Sequence, residues 1–117
     1  MITMNEKIKT LNDLFKSELI IARRFNHENG ELEPVPEREG VFFACISDDY
    51  SPIENTIVKA IGHKENLEDI HYNERLLNSF CRLKINYVLF YITDNTRWAN
   101  EFVNNILESD KKIEWLA

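Results

Sequence analysis

The side chains of this sequence that could do chemistry are few and scattered. His63 and His71 could ligate a metal, but their eight-residue gap leaves them about 80° off a common helical face, and no nearby cysteine helps to complete a set. Glu101 could hold a divalent ion such as Mg, yet it borders the apolar stripe of its helix on the polar side, where a solvated glutamate is the default. Tyr50 and Tyr72 offer hydroxyls on separate elements, and nothing in the sequence fixes either beside Glu101. There is no Ser-His-Asp set and no nucleophile elbow, and three glycines in the whole chain exclude a P-loop or dinucleotide loop. Trp98 and Trp115 are aromatic faces on which a ligand could stack, although Trp98 reads better as an anchor of its helix. Cys45 and Cys81 sit in apolar stretches without metal-ligand or disulfide spacing, the pattern of reduced, buried thiols in a cytoplasmic protein.

Charge is the other informative feature. The formal net charge is −6, and it is unevenly placed. From Glu28 to Glu74 twelve acids face three bases, so this stretch carries −9 and the remainder +3. A negative field of that kind repels phosphates and favours a basic partner. The leftover cations Arg23, Arg24, Arg82, Lys84, Lys111 and Lys112 are spread over several elements and form no stripe. No apolar run reaches the roughly 20 residues of a membrane helix, and "MITMNEKIKT" lacks a signal-peptide core.

The elements that must carry these residues can be read from periodicity. Residues 1–117 are expected to form a single domain, with an N-terminal helix over 1–27, an extended connector over 28–39, a core over 40–108 and a tail over 109–117. The first helix starts at a capping box, Thr3 to Glu6, and continues through Ile8, Leu11, Leu14, Phe15 and Ile21. Pro34 and Pro36 keep the connector extended. "VFFACIS" and "TIVKAIG" read as an antiparallel hairpin across the polar loop "DDYSPIEN". A helix is expected from Glu65 to Leu83, with Leu67, Ile70, Leu77, Phe80 and Cys81 on one face. "NYVLFYIT" reads as a central strand covered on both faces. Asp94 or Thr96 can cap the next helix, whose stripe is Trp98, Phe102, Val103, Ile106 and Leu107. "KKIEWLA" could add an edge strand. The fold class expected is α+β: a small, mainly antiparallel three-stranded sheet packed by helices.

Over roughly Gly40 to Leu107 the chain resembles the GIY-YIG nuclease superfamily. "GVF" (Gly40–Phe42) stands at the first tripeptide and "AIG" (Ala60–Gly62) at the second. "GHKENLEDI" is similar to the family's glycine-to-helix entry, and "TDNTRWANEFVNNILES" to the later helix, which places Glu101 at the metal-binding glutamate. The resemblance implies that fold, together with a site of two tyrosines, an arginine, the glutamate and one divalent metal. Here the tyrosine positions hold Phe42 and Ala60, the arginine position holds Ile70, and only Glu101 remains. Phosphodiester cleavage requires a group to activate the nucleophile and cations at the phosphorane oxygens. On a continuous helix Arg75 would lie about 140° around the axis from Ile70 and could not take its place.

The expectation is therefore a catalytically inactive, GIY-YIG-like acidic protein of the cytoplasm. It would need no cofactor and bind a basic protein rather than nucleic acid or membrane, as an immunity protein, an antitoxin or a phage-type inhibitor would. Asp48, Asp49, Tyr50, Glu65, Glu68, Asp69 and Tyr72 would form the partner surface. The alternative is a divergent metal-dependent nuclease acting on DNA or RNA through Glu101.

Overall fold

Three apolar runs in the sequence become neighbouring inner strands of one sheet. In the computed structural model, which describes residues 20–47 and 56–116, they are β3 (Gly40–Ser47), β4 (Thr56–Lys64) and β5 (Tyr87–Ile92). The β3–β4 hairpin forms as the sequence predicts. Its register pairs Gly40 with Lys64 and Ser47 with Thr56, and Lys59 is an extra residue at a bulge opposite Ala44 and Cys45. Strand β5 pairs antiparallel with β3 on its other side, so its apolar residues meet a layer on each face. Asn86 locks the two together at one end. Its amide accepts from the Ser47 N–H at 2.8 Å and donates to the Ser47 carbonyl at 2.7 Å.

The sheet is larger than three strands. Its order is β2-β1-β5-β3-β4-β6, with β1 at Ile20–Asn26, β2 at Glu31–Leu32 and β6 at Glu114–Trp115. Residues Ile20–Asn26, expected inside the first helix, are instead a strand pairing with β5 from Ile20↔Tyr91 to Arg24↔Tyr87. The expected connector contains β2, which turns back on β1 through Asn29 and Gly30, where Gly30 has a φ of 75°. Strand β6 is the anticipated edge strand and runs parallel to β4, so the sheet is mixed. The capping box at Thr3 and the loop Asp48–Asn55 lie outside the described residues.

Alternation along the strands sorts the core into two layers. Val41, Phe43, Cys45, Ile61, Leu89 and Tyr91 face helix α2 (Thr96–Ser109), meeting Ala99, Phe102, Val103 and Ile106. Phe42, Ala44, Ala60, Val88 and Phe90 point the other way. They meet a 3-10 helix, Leu67–Tyr72, and helix α1 (Glu74–Arg82). The single helix expected over Glu65–Leu83 is thus broken at Asn73. That residue is extended, with φ −105° and ψ 90°, and its side chain accepts from the Leu76 N–H to start α1 afresh. Helix α2 is capped by Asn95, which accepts from the Trp98 N–H at 2.9 Å, and not by Asp94 or Thr96.

Burial separates the two thiols. Cys45 has no exposed surface, and burial raises its thiol far above the ordinary range, whereas Cys81 is half-buried. A raised pKa leaves almost no thiolate at pH 8, and thiolate is the reacting form. Iodoacetamide at pH 8 is therefore expected to modify Cys81 first and to reach Cys45 only on unfolding, a difference that peptide mass mapping with and without urea would read.

Candidate functional site

The 3-10 helix concentrates acidic and aromatic side chains on one surface. With three residues per turn, Leu67 and Ile70 fall on the same side and are fully buried. That orientation leaves Glu68, Asp69, His71 and Tyr72 on the outer sides, and Tyr72 is 79% exposed. Two bonds fix the segment: Asn66 accepts from the Glu68 N–H at 3.1 Å, and the Leu67 N–H donates to the Arg38 carbonyl at 2.8 Å. The Arg38 bond brings the proline-containing stretch after β2 alongside. Leu32, Pro34, Val35 and Glu37 then join Glu68, His71 and Tyr72 around a groove of about 300 Å³.

One carboxyl of this groove is electrostatically disfavoured in its charged form. The Glu68 carboxyl is raised above the usual carboxylate range, first by its hydrogen bond with Glu37, then by partial desolvation and by the charges of Glu37 and Asp69. The sign follows directly. Above the raised pKa the charged Glu68 carboxylate opposes the fold, and that penalty is lost as pH falls through it. A bound cation would relieve the same repulsion at neutral pH.

The expected partner surface is brought together in part. Glu68, Asp69 and Tyr72 share the 3-10 helix, and Glu68 and Tyr72 line the groove. Glu65 is exposed just after β4 and does not line the groove. Asp48, Asp49 and Tyr50 fall outside the described residues. Glu37 belongs to the groove but was not singled out by the sequence. Its only signal was membership of the acidic run, because its approach to Glu68 depends on the turn of β2 back onto β1.

The positions that carried the nuclease resemblance are also placed. Phe42, Ala60 and Ile70 lie in one hydrophobic cluster on the 3-10 helix side of the sheet, all without exposed surface. Glu101 is on α2, which packs the opposite face, and its exposed carboxylate accepts from Arg97 Nε at 3.2 Å. Arg75 follows the break at Asn73, so the rotation expected for an unbroken helix does not apply to it.

His63 is in a strand and not at a helix entry. It is the penultimate residue of β4, and its Nε2 lies 2.7 Å from Glu39 Oε2, which also accepts from Thr96 Oγ1 at 2.5 Å. This cluster fastens the start of β3, the end of β4 and the start of α2. Trp98 stacks on Phe102 with ring centroids 5.0 Å apart, the core anchor the sequence suggested, while Trp115 is 47% exposed. Among the described residues no group of three His, Cys, Asp or Glu side chains is placed to hold a metal ion, and no helix is long and apolar enough to cross a membrane. Compared with known proteins, the chain matches no family model, no curated protein and no solved structure.

Proposed function

We propose that this chain is a binding protein whose 3-10 helix surface receives lysine or arginine side chains of a basic protein partner. The observation that carries the reading is the pair Glu37 and Glu68, crowded at one groove beside the exposed ring of Tyr72. A guanidinium or ammonium entering there neutralises two repelling carboxylates, lays its alkyl stem on Leu32 and Val35, and can meet the Tyr72 face. The acidic stretch would steer such a partner toward the groove from within a Debye length of about 8 Å at physiological salt. An immunity protein, an antitoxin or a phage-type inhibitor of a nucleic-acid enzyme would work in this way. The GIY-YIG-like order of elements is part of the same proposal, as a scaffold whose reactive positions have become apolar.

Calorimetry with an arginine-rich peptide and an alanine-substituted control tests the reading. Binding is expected to weaken as salt rises and to fall at least about tenfold when Glu65, Glu68 and Asp69 are reversed to lysine. Indifference to that reversal would count against the proposal. So would metal-dependent cleavage of DNA or RNA that Glu101→Gln abolishes.

A further inference from the structure

A second concavity, of about 470 Å³, lies between α1 and the edge strand β6. Its chemistry is opposite. Arg75, Ser79 and Arg82 follow one another at spacings of four and three, so α1 presents them on one face, and all three line the concavity. Trp115 forms part of the opposite wall. In a chain of net charge −6 this is where two arginines meet an accessible aromatic face.

The donors are not all engaged. Arg82 makes a two-point contact with Glu114, Nη2 to Oε2 at 2.7 Å and Nη1 to Oε1 at 3.3 Å, which leaves three of its five N–H groups. Among the described residues no carboxylate forms an ion pair with Arg75. Asn73 uses its carbonyl oxygen to cap α1, so its amide N–H groups remain at the rim. Trp115 stacks on no ring among the described residues, unlike Trp98.

We propose that this groove binds a small organic phosphate bearing a planar ring, the chemistry of a nucleoside monophosphate. The phosphate takes Arg75, the Asn73 amide and the free edge of Arg82, a geometry suited to guanidinium donors. The ring lies on Trp115, where stacking adds affinity that inorganic phosphate cannot gain. The volume is within the range of small-molecule sites. A polyanion is disfavoured because its flanking phosphates would meet Glu114 and the exposed Glu74 beside Arg75. Glu114 acts as a resident competitor, since its carboxylate already occupies one edge of Arg82.

The test is titration of the intact protein with the four common nucleoside monophosphates, with inorganic phosphate, free nucleosides and a glutamate-rich peptide as comparisons. At least one monophosphate should bind saturably, and both phosphate alone and its nucleoside at least about tenfold more weakly. Arg75→Ala and Trp115→Leu should each weaken that binding about tenfold, whereas Glu114→Gln should tighten it several-fold. Failure of all four monophosphates to saturate overturns the proposal. So do preference for the acidic peptide, insensitivity to Arg75→Ala, or weaker binding by Glu114→Gln. The proposal does not rest on the acidic groove, and the arginine-rich peptide of the earlier test has no place in it.

Discussion

Gly62→Ala is expected to destabilise the fold by about 3 kcal/mol, at the upper end for an overpacked position. Gly62 lies opposite Phe42 in the β3–β4 register. A Cβ there would stand 2.3 Å from Phe42 Cζ and 2.1 Å from the Leu116 carbonyl oxygen. Gly62 does not have a left-handed φ, so the demand is for space and not for conformation. Neither neighbour yields easily. Phe42 has no exposed surface, and moving Leu116 disturbs the bond from its N–H to the Ile61 carbonyl, at 3.0 Å, that holds β6 to β4. Two readouts are expected together: a lower urea midpoint with an unchanged slope, and faster hydrogen exchange at the Leu116 amide. A midpoint equal to the parent's would show that the Phe42 ring can move aside. The glycine that carries the nuclease resemblance is accounted for here by packing, because it makes room for an aromatic ring.

Phe80→Ala is expected to cost about 3–5 kcal/mol, the usual range for deleting a buried phenylalanine. Phe80 has no exposed surface and sits between two edge-to-face partners, Phe25 at 5.4 Å and Phe42 at 6.1 Å. Its loss leaves a cavity beneath α1 and removes the contact that seats the buried residue of β1. A domain of ordinary stability has about 5–15 kcal/mol in total, so the variant should unfold at much lower denaturant and temperature. Phe80→Leu should recover a good part of the loss, because it refills volume without restoring the ring contacts. A loss below 1 kcal/mol would mean that α1 collapses into the space. Because α1 also carries Arg75 and Arg82, the alanine variant should lose nucleotide affinity as well.

The legible parts of this fold are those in which pattern and environment agree. The runs at β3 and β5 are apolar on both faces because each face is covered, β4 is covered in the same way only over Ala60–Gly62, and the stripe from Trp98 to Leu107 is the buried side of α2. Strand β1 was hidden by its neighbours. Ile21 lies seven residues after Leu14 and so extends a helical stripe, while the half-buried pattern of Ile20–Asn26 reflects incomplete cover on both faces. The break at Asn73 was hidden differently. Leu67, Ile70, Leu77 and Phe80 fit helical spacing on either side of it, yet two short helices entering one cluster give the same spacing as a single long one. The capping asparagine was the available sign. At the site, Glu68, Asp69 and Tyr72 could be read as a surface because they are close in sequence. Glu37 could not, because its approach follows from the bond of the Leu67 N–H to the distant Arg38 carbonyl, and the Arg75–Trp115 groove could not, because β6 pairs with β4 across a long separation.

The strand order also sets a timetable for the nascent chain. Strand β5 lies between β1 and β3, so β1 has its main partner only once Tyr87–Ile92 has been made, whereas β3 and β4 can pair across their short loop. At about 5–20 residues per second of synthesis, β1 waits several seconds with one edge closed only by the two residues of β2. Ile20 and Ile21 are then open to strand pairing with other chains, and sheet completion depends on the most non-local strand pairing among the described residues, Ile20↔Tyr91. The slow step expected in folding is therefore the docking of β1, whose Phe25 pairs with Leu32 at the edge of the acidic groove.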